Sequence, residues 1–332
     1  MEKASYYHQL NNNQVQCNLC PNNCIINENA KGYCQARANI NGELYSLTNK
    51  QYSSVAIDPI EKKPLLHYYP GQKILSLGSL GCNLRCHHCQ NWEISQPFKE
   101  NTNRALTSLT PDEIVSMTLK NAIQLIAFTY NEPSIGYESM LETAKRAYQK
   151  GIKIVSVTNG YINILPLKEL ATVVAAYSVD LKAFTREAYN ELTCVDAFSS
   201  VKDTIEFLVS QKKHVEIVTN LVTGINDDLD QLADAAKWIK NIGQDIPWHI
   251  SEYFPANDYI NREYIAPSIA IKARENALKV GLKFVYTNKY EDTICPFCNK
   301  IIISRSRFIV NSAELIGIKC KYCNNIIPNL VN

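Results

Sequence analysis

The 332-residue sequence has almost no excess charge and no long apolar run, and each absence excludes a class of protein. Its formal net charge is +2, so no strong overall field attracts it to nucleic acid or to an anionic membrane. The longest apolar stretch, around residues 170–179, is too short to cross a bilayer. Residues 1–13 are polar and lack the apolar core of a secretory signal. These features predict a cytoplasmic protein without a membrane partner.

A glycine-rich phosphate loop is also missing. The segment Gly78-Ser79-Leu80-Gly81 does not match the G-x-G-x-x-G pattern of dinucleotide-binding folds. From Ile74 onward, short apolar runs alternate with amphipathic helical stretches in six or seven β-then-α repeats. Such repetition favours an α/β protein built on a partial parallel (β/α) barrel over an open, doubly wound sheet.

Local signals predict individual elements of this barrel. Thr110 and Glu113 form a capping box around a helix start at Pro111. A helix is expected over residues 165–175, followed by a strand over residues 178–183. Asn226 is expected to cap the helix that follows it.

Cysteine, by contrast, is abundant. Eleven of the twelve cysteines fall into three close groups, and only Cys194, expected to be a small core or surface residue, stands alone. A disulfide framework suits secreted proteins, whereas close spacing without a secretory signal indicates metal sites. The groups are Cys17, Cys20, Cys24 and Cys34; Cys82, Cys86 and Cys89; and Cys295, Cys298, Cys320 and Cys323.

The central group has the pattern C-x3-C-x2-C and directly follows the first predicted barrel strand. Three thiolates on one loop can bind three irons of a [4Fe–4S] cubane and leave the fourth iron open to another ligand. The alternative is structural zinc with His87 or His88 as the fourth ligand. A histidine between two ligands rarely reaches the same ion with good geometry, which favours the cubane.

This pattern at the end of the first strand resembles the radical S-adenosylmethionine (SAM) superfamily. The resemblance implies a [4Fe–4S] cluster on Cys82, Cys86 and Cys89, whose open iron binds the methionine part of SAM. It further implies reductive cleavage of SAM to a 5′-deoxyadenosyl radical, with a low-potential electron donor of the flavodoxin or ferredoxin type. His88 stands where the family usually has an aromatic residue, so we expect it to lie against adenine.

Polar residues also stand at the ends of later strands, where chemistry gathers in a βα barrel. The segment from Thr129 to Pro133 resembles the family's Gly-Gly-Glu-Pro segment, which receives the methionine ammonium. Charged and amide groups suit the ammonium and carboxylate of SAM, although a plain ion pair and a satisfied core histidine are the alternatives. The candidate cofactor-binding residues are His88, Asn131, Glu132, Asn159, Asp180, Lys182 and His249.

Two finer resemblances differ in what they imply about the substrate. Residues 81–91, together with the pair Asp180 and Lys182, resemble the glycyl-radical activating enzymes, which act on a protein. Val157 replaces their acid, however, and residues 213–224 lack their arginine. A resemblance over nearly the whole chain, including Gly32-Tyr33-Cys34, is to the radical enzyme of the AmmeMemoRadiSam system. It implies AMMECR-type and Memo-type proteins as partners but supplies no substrate.

The two flanking cysteine groups predict further metal sites. Two C-x2-C pairs, beginning at Cys295 and at Cys320, predict a zinc ribbon or a rubredoxin-like iron site. Zinc is favoured because the four cysteines fill all four coordination positions of the metal. No wider basic surface supports nucleic-acid binding by this ribbon. The N-terminal pattern C-x2-C-x3-C-x9-C does not match the ferredoxin run, so a structural metal and an auxiliary Fe–S cluster are both open.

The sequence thus predicts three parts. They are an irregular cysteine-rich segment (residues 1–70), a partial barrel of the radical SAM type (residues 71–290) and a zinc-ribbon-like four-cysteine module (residues 291–332). The predicted function is reductive cleavage of SAM and use of the radical on an unidentified substrate. A glycyl-radical activase and a non-catalytic metal-binding or electron-transfer protein are the alternatives.

Overall fold

A computed structural model describes residues 1–97, 105–289 and 291–332 of the chain. The N-terminal part, predicted to be irregular, instead contains short antiparallel strands. These are β1 (Glu2–Lys3), β2 (Tyr7–Gln9), β3 (Val15–Cys17), β4 (Ile25–Ile26), β5 (Arg37–Ile40), β6 (Glu43–Ser46) and β7 (Gln51–Tyr52). They form two small sheets with the orders β1-β6-β5 and β2-β3-β4, while β7 pairs with β10 (Thr107–Ser108).

An eight-stranded sheet forms the centre of the molecule. Its strands are β8 (Ser54–Pro59), β9 (Lys73–Gly78), β11 (Leu125–Phe128), β12 (Lys153–Thr158), β13 (Val174–Asp180), β14 (His214–Leu221), β15 (Trp248–Glu252) and β16 (Val285–Thr287). They lie side by side in chain order. The pair β8 and β9 is antiparallel, and all later neighbours are parallel. Within the described residues β8 and β16 stay unpaired with each other, so the predicted partial barrel is confirmed.

Helices connect the parallel strands. They are α1 (Trp92–Ser95), α2 (Pro111–Lys120), α3 (Tyr137–Gln149), α4 (Ile164–Val173), α5 (Arg186–Thr193), α6 (Phe198–Ser210), α7 (Leu229–Gly243) and α8 (Pro267–Val280). The predicted capping box of α2 is present, because Thr110 and Glu113 each bond the other's backbone N–H. None of the described helices is long and apolar enough to cross a membrane.

Two local predictions were wrong. The expected helix over residues 165–175 ends at Val173, and the strand expected from residue 178 begins at Val174, which is fully buried opposite Ile154. Sheet pairing here overrides the helical preference of the alanines. Asn226 does not cap α7. Its side chain bonds the backbone of the preceding loop, and Asp228 accepts the capping hydrogen bond instead.

The C-terminal cysteines lie in a small antiparallel ribbon. Its strands are β17 (Thr293–Ile294), β18 (Ile301–Ser306), β19 (Ile309–Ala313), β20 (Leu315–Ile316) and β21 (Lys319–Cys320). Buried Arg305 donates to the carbonyl oxygen of Leu66 at 2.7 Å, and Leu66 packs in one apolar cluster with Phe284 and Cys295. The predicted division into three parts stays a prediction; residue 290, at one boundary, lies outside the described residues.

The N-terminal part lies directly against the loop that follows β9. Gly81 has φ +89°, and a Cβ added there would overlap the carbonyl oxygen of Cys34. Arg37 forms a buried ion pair with Glu138 of α3, at 2.8 Å, so the contact is both steric and electrostatic. The small sheets therefore seat the N-terminal cysteines beside the central ones.

We expect Gly81→Ala to lower the free energy of unfolding by about 3 kcal/mol, because the methyl group would meet backbone in addition to the left-handed strain. Gly151→Ala is the matched control. It has φ +74° with no atom within 4 Å of the added carbon, so only about 1 kcal/mol of backbone strain is expected. Chemical denaturation of both variants measures the difference, and equal losses would contradict the Cys34 contact.

Candidate functional site

The central cysteines lie in the loop between β9 and α1, at the carboxyl end of the first parallel strand. The backbone N–H groups of Arg85 and His87 donate to the carbonyl oxygens of Thr193 and Leu192, at 3.0 and 3.1 Å. These bonds hold the loop against the C-terminal end of α5. Since α5 follows β13, the cysteines come to lie beside the carboxyl ends of the middle strands.

Two side-chain amides that sequence reasoning missed hold the middle of this loop. Nε2 of Gln96 and Nδ2 of Asn257 both donate to the carbonyl oxygen of Cys86, at 3.1 and 3.0 Å. Asn257 is 171 residues away in the chain, so no local pattern could have marked it. The two amides therefore fix the backbone of the loop at its middle cysteine.

The spacing of the sulfur atoms distinguishes the central group from the C-terminal group. The four C-terminal sulfurs lie within 4.8 Å of one another, with Cys295 to Cys323 at 3.6 Å and Cys298 to Cys320 at 3.7 Å. Four thiolates around one tetrahedral ion, with metal–sulfur bonds of about 2.3 Å, lie about 3.8 Å apart. The C-terminal group therefore fits a single metal ion.

Among the described residues, the three central sulfurs are not gathered this closely. A cubane binds each thiolate at a different corner, so its ligands lie farther apart than ligands that share one ion. None of the twelve cysteines forms a disulfide. The central group therefore lacks the close spacing that the alternative of a single structural zinc ion requires.

Burial raises the pKa of all three central thiols, to about 12 for Cys86. At neutral pH they would stay protonated unless positive charge compensated. Lys182 supplies part of that charge, because its ammonium acts to lower the pKa of Cys86 and of Cys89. Metal binding requires thiolates, so a positively charged iron cluster would supply the remainder.

Asp180 and Lys182 lie at the carboxyl end of β13 and form an ion pair of 2.9 Å. Burial by itself lowers the pKa of Lys182, but the charges of Asp180 and Cys86 outweigh burial and raise it. The lysine therefore stays protonated beside the central cysteines. The ion pair considered from sequence exists, and it positions the lysine at the site.

His88 is buried, with 5% of its surface exposed. Burial, helped by the charge of Lys182, lowers its pKa to about 3, so the ring is neutral at physiological pH. Its Nδ1 has no hydrogen-bond partner in the part of the chain that the structure describes. The imidazole is thus held within the cysteine loop, with one polar atom available to a ligand.

Asn131 ties the end of β11 to the loop that carries the cysteines. Its Oδ1 accepts from the backbone N–H of Ser79 at 2.9 Å, and its Nδ2 donates to the carbonyl oxygen of Gly81 at 2.8 Å. Both the oxygen and the nitrogen of this side-chain amide are therefore hydrogen-bonded within the protein. In this state Asn131 positions the loop immediately before Cys82.

Glu132 and Asn159 connect the second and third parallel strands to Cys82. The carboxylate of Glu132 accepts from Oγ1 of Thr158 and from the backbone N–H of Asn159, each at 2.8 Å. Burial raises the pKa of Glu132, and within the described ranges no lysine or arginine forms an ion pair with it. Nδ2 of Asn159 lies 3.6 Å from the sulfur of Cys82. Both residues therefore border the central cysteines.

His249 lies within strand β15. It is the second residue of β15, near the start of the strand, whereas the other candidates follow strand ends. Its Nε2 is 2.7 Å from Glu216, and its ring stacks on Tyr286. Glu216 also bonds His214 and the backbone N–H of His67, in a fully buried network. These contacts favour a satisfied core histidine, and a role of His249 toward SAM stays a prediction.

Cys194 has specific contacts, whereas its isolated position in the sequence predicted only a small core or surface residue. It ends α5 in the left-handed conformation, with φ 58°, a position that usually favours glycine. Its sulfur is 3.1 Å from Nε2 of His87, and Nδ1 of His87 is 2.9 Å from Asp258. This chain of contacts anchors the outer side of the cysteine loop. Sequence reasoning missed it because its members are far apart in the chain.

The N-terminal cysteines are brought together as well. All four line one cavity, shared with Arg37 and Ile135. Their sulfurs, like those of the central group, are not gathered as closely as the C-terminal ones within the described residues. The structure therefore contains three separate assemblies of cysteine side chains.

We expect His249→Ala to lower the free energy of unfolding by about 3 kcal/mol, because Glu216 would stay buried with one imidazole partner fewer. SAM affinity of the folded variant should change by less than about twofold, since the imidazole is already engaged by Glu216 and Tyr286. Denaturation and equilibrium dialysis with SAM measure the two effects. Exposed His8, bonded to Asn18, provides the control His8→Ala. Lost affinity with unchanged stability would instead assign His249 to SAM.

Comparison with known proteins agrees with this geometry. The sequence profile of the Radical SAM superfamily matches residues 77–239, which include the central cysteines and the strands from β11 to β14. An uncharacterized protein of Methanocaldococcus jannaschii is 36% identical over 98% of this chain and 99% of its own length. A second protein of that organism, assigned provisionally as a glycyl-radical enzyme activating enzyme, is 27% identical over 62% of this chain and 77% of its own length.

Solved structures show the same fold. Streptococcus suis SuiB bound to S-adenosylmethionine is similar with a TM-score of 0.51 at 13% identity, over 75% of this chain and 56% of SuiB. At this identity the likeness concerns the fold alone. The partial barrel, the cysteine loop at its first strand and the matching profile together place this chain in the radical SAM superfamily, as an enzyme related to the activating enzymes.

Proposed function

We propose that the protein binds a [4Fe–4S] cluster through Cys82, Cys86 and Cys89 and cleaves SAM reductively at that cluster. When bound, the cluster and SAM supply the chemistry, namely one-electron cleavage to methionine and a 5′-deoxyadenosyl radical that abstracts hydrogen from a substrate. The protein contributes binding, orientation and a buried electrostatic environment. The electron comes from a low-potential donor of the flavodoxin or ferredoxin type.

One observation carries this proposal. Three thiols, one buried and two partly buried, share a loop at the carboxyl end of the first parallel strand. Among the described residues their sulfurs are not gathered as closely as a single ion requires. A protonated lysine lies beside them, and a neutral histidine lies between them. Three protein ligands leave a fourth iron able to bind a small molecule, which distinguishes a reactive site from a closed structural one.

The surrounding side chains suit the two charged ends of the methionine part of SAM. Lys182, oriented by Asp180, would bind the carboxylate. Glu132 is buried without an ionic partner among the described residues, so the ammonium of SAM would supply its missing counter-charge. Asn159 would hold the loop sulfur in place, and His88 would lie against adenine.

Further parts of the proposal rest on patterns along the whole chain. We propose zinc for the four-cysteine ribbon, because its sulfurs surround one point and close all four positions. The chain-long motif resemblance supports the AmmeMemoRadiSam assignment, a cytoplasmic location and AMMECR-type and Memo-type partners. The substrate is not identified by any of these features.

A second candidate function is activation of a glycyl-radical enzyme. The relative assigned to that class, 27% identical, favours it. Incubation of the reduced protein and SAM with a candidate partner protein would then generate the doublet EPR signal of a glycyl radical. Cleavage of SAM without such a signal across candidate partners would favour another substrate.

We expect simultaneous replacement of Cys82, Cys86 and Cys89 by alanine to abolish 5′-deoxyadenosine formation, because the variant has no thiolate left to bind the catalytic cluster. The zinc content should be unchanged, since the ribbon cysteines are intact. Anaerobic reconstitution, reduction with dithionite and chromatographic detection of 5′-deoxyadenosine provide the measurement. Cys194→Ala, which removes a nearby sulfur outside the triad, is the control. Retained SAM cleavage in the triple variant would refute the assignment.

We expect Lys182→Met to weaken SAM binding about tenfold, because one charge-assisted hydrogen bond to the carboxylate is lost. Lys237→Met is the matched control, since Lys237 also pairs with an aspartate at 2.9 Å but lies on the exposed face of α7. Equilibrium dialysis of SAM against the reconstituted variants measures the affinities. Equal affinities for the two variants would mean that Lys182 does not contact SAM.

A further inference from the structure

The N-terminal cysteines come from three short segments that fold around one space. Cys17 ends β3, Cys20 and Cys24 lie in the loop to β4, and Cys34 lies in the loop before β5. All four line a single cavity. The cavity walls also include the buried apolar side chains of Leu19 and Ile26, together with the polar side chains of Asn22 and Arg37.

The N-terminal sulfurs are not gathered as closely as those of the ribbon within the described residues. The ribbon brings its four sulfurs within 4.8 Å of one another, as one tetrahedral ion requires. In the described residues, the N-terminal four do not reach that spacing although they share a cavity. Such an arrangement can hold a cluster of several metal atoms, in which each metal atom is bound by one thiolate.

A buried polar atom independently points to an occupant of the cavity. Arg37 is 1% exposed, and its terminal nitrogens bond the carbonyl oxygen of Ser5 and the carboxylate of Glu138. Its Nε has no hydrogen-bond partner among the described residues, and the side chain lines the same cavity. A buried donor without a partner is costly. A thiolate or sulfide in the cavity would supply the missing acceptor.

We propose that Cys17, Cys20, Cys24 and Cys34 bind a second [4Fe–4S] cluster, closed by four thiolates, beside the central cysteines. Two contacts show how near the two groups lie. The backbone of Cys34 abuts Gly81, which immediately precedes Cys82. Nδ2 of Asn22, another residue of the cavity lining, donates to the carbonyl oxygen of Asn83 at 3.0 Å.

The test counts metal in the full-length chain that lacks the central ligands. After anaerobic reconstitution, the alanine variant of Cys82, Cys86 and Cys89 should retain about four irons and four sulfides per chain, with about eight irons in the wild type. Its Mössbauer spectrum should be that of a cubane with four thiolate ligands, unchanged by SAM. This result does not depend on SAM cleavage, so it stands or fails separately from the proposed function.

Other metal counts in that variant would overturn the proposal. An iron-free variant with one zinc more than the ribbon can bind would assign a structural zinc ion to the N-terminal cysteines. An iron-free variant with only the ribbon metal would mean that these cysteines bind none. Because the N-terminal ligands are untouched, neither result could be attributed to misfolding of that part. Far-UV circular dichroism of the variant checks that the barrel is intact.

A second measurement tests the closeness of the two clusters. In the reduced wild type, two paramagnetic clusters that are near neighbours should broaden or split each other's EPR signals. Replacing Cys20 and Cys24 with serine should leave one uncoupled signal, and the central triple variant should leave the other. Replacing Cys295 and Cys298 with serine, at the distant ribbon, is the control and should keep the coupling. Two independent signals in the wild type would contradict the proposed arrangement.

Discussion

The close contact between Cys34 and Gly81 is the constraint on which the arrangement of the cysteines depends. A side chain at position 81 would push the N-terminal sheets away from the loop after β9. Because glycine has no side chain, the backbone segments that carry Cys34 and Cys82 lie side by side. Asn22 adds a hydrogen bond across the same contact. The loop is held on its other side by α5, through the N–H groups of Arg85 and His87. The central cysteines are therefore positioned by neighbours on both sides, which preorganises them for a rigid ligand.

The second feature of the site is how it manages buried charge. Thiolates deep in a protein are unfavourable, and burial accordingly raises the pKa of Cys82, Cys86 and Cys89. Lys182 partly offsets that cost and is itself kept protonated by Asp180. Glu132 has hydrogen bonds but no ion pair in the described ranges. The protein thus has a buried protonated lysine and a buried, hydrogen-bonded carboxyl group beside the central cysteines, and the proposed contacts of SAM use both.

Much of the site could be predicted because its ligands are local in sequence. A C-x3-C-x2-C loop brings three thiols together whatever the remainder of the fold, and the two C-x2-C pairs do the same in the ribbon. Residues that act from a distance could not be predicted in this way. Asn257 and Asp258 reach the cysteine loop from the segment after β15, and Cys194 reaches it from the end of α5. The start of β13 was misplaced because sheet pairing decided it over local helix preference.

The sequence by itself determined the fold class, the position of the cysteine loop after the first parallel strand and the division of eleven cysteines into three groups, since periodicity and residue spacing are properties of short segments. Only the tertiary structure decided which groups surround a single ion and which leave wider room, because sulfur–sulfur distances depend on how separate loops meet. It also decided that Lys182 lies beside the cysteines while His249 pairs with Glu216. Each residue stands in or just after a barrel strand, so local sequence could not separate them; their surroundings depend on how neighbouring strands and loops pack.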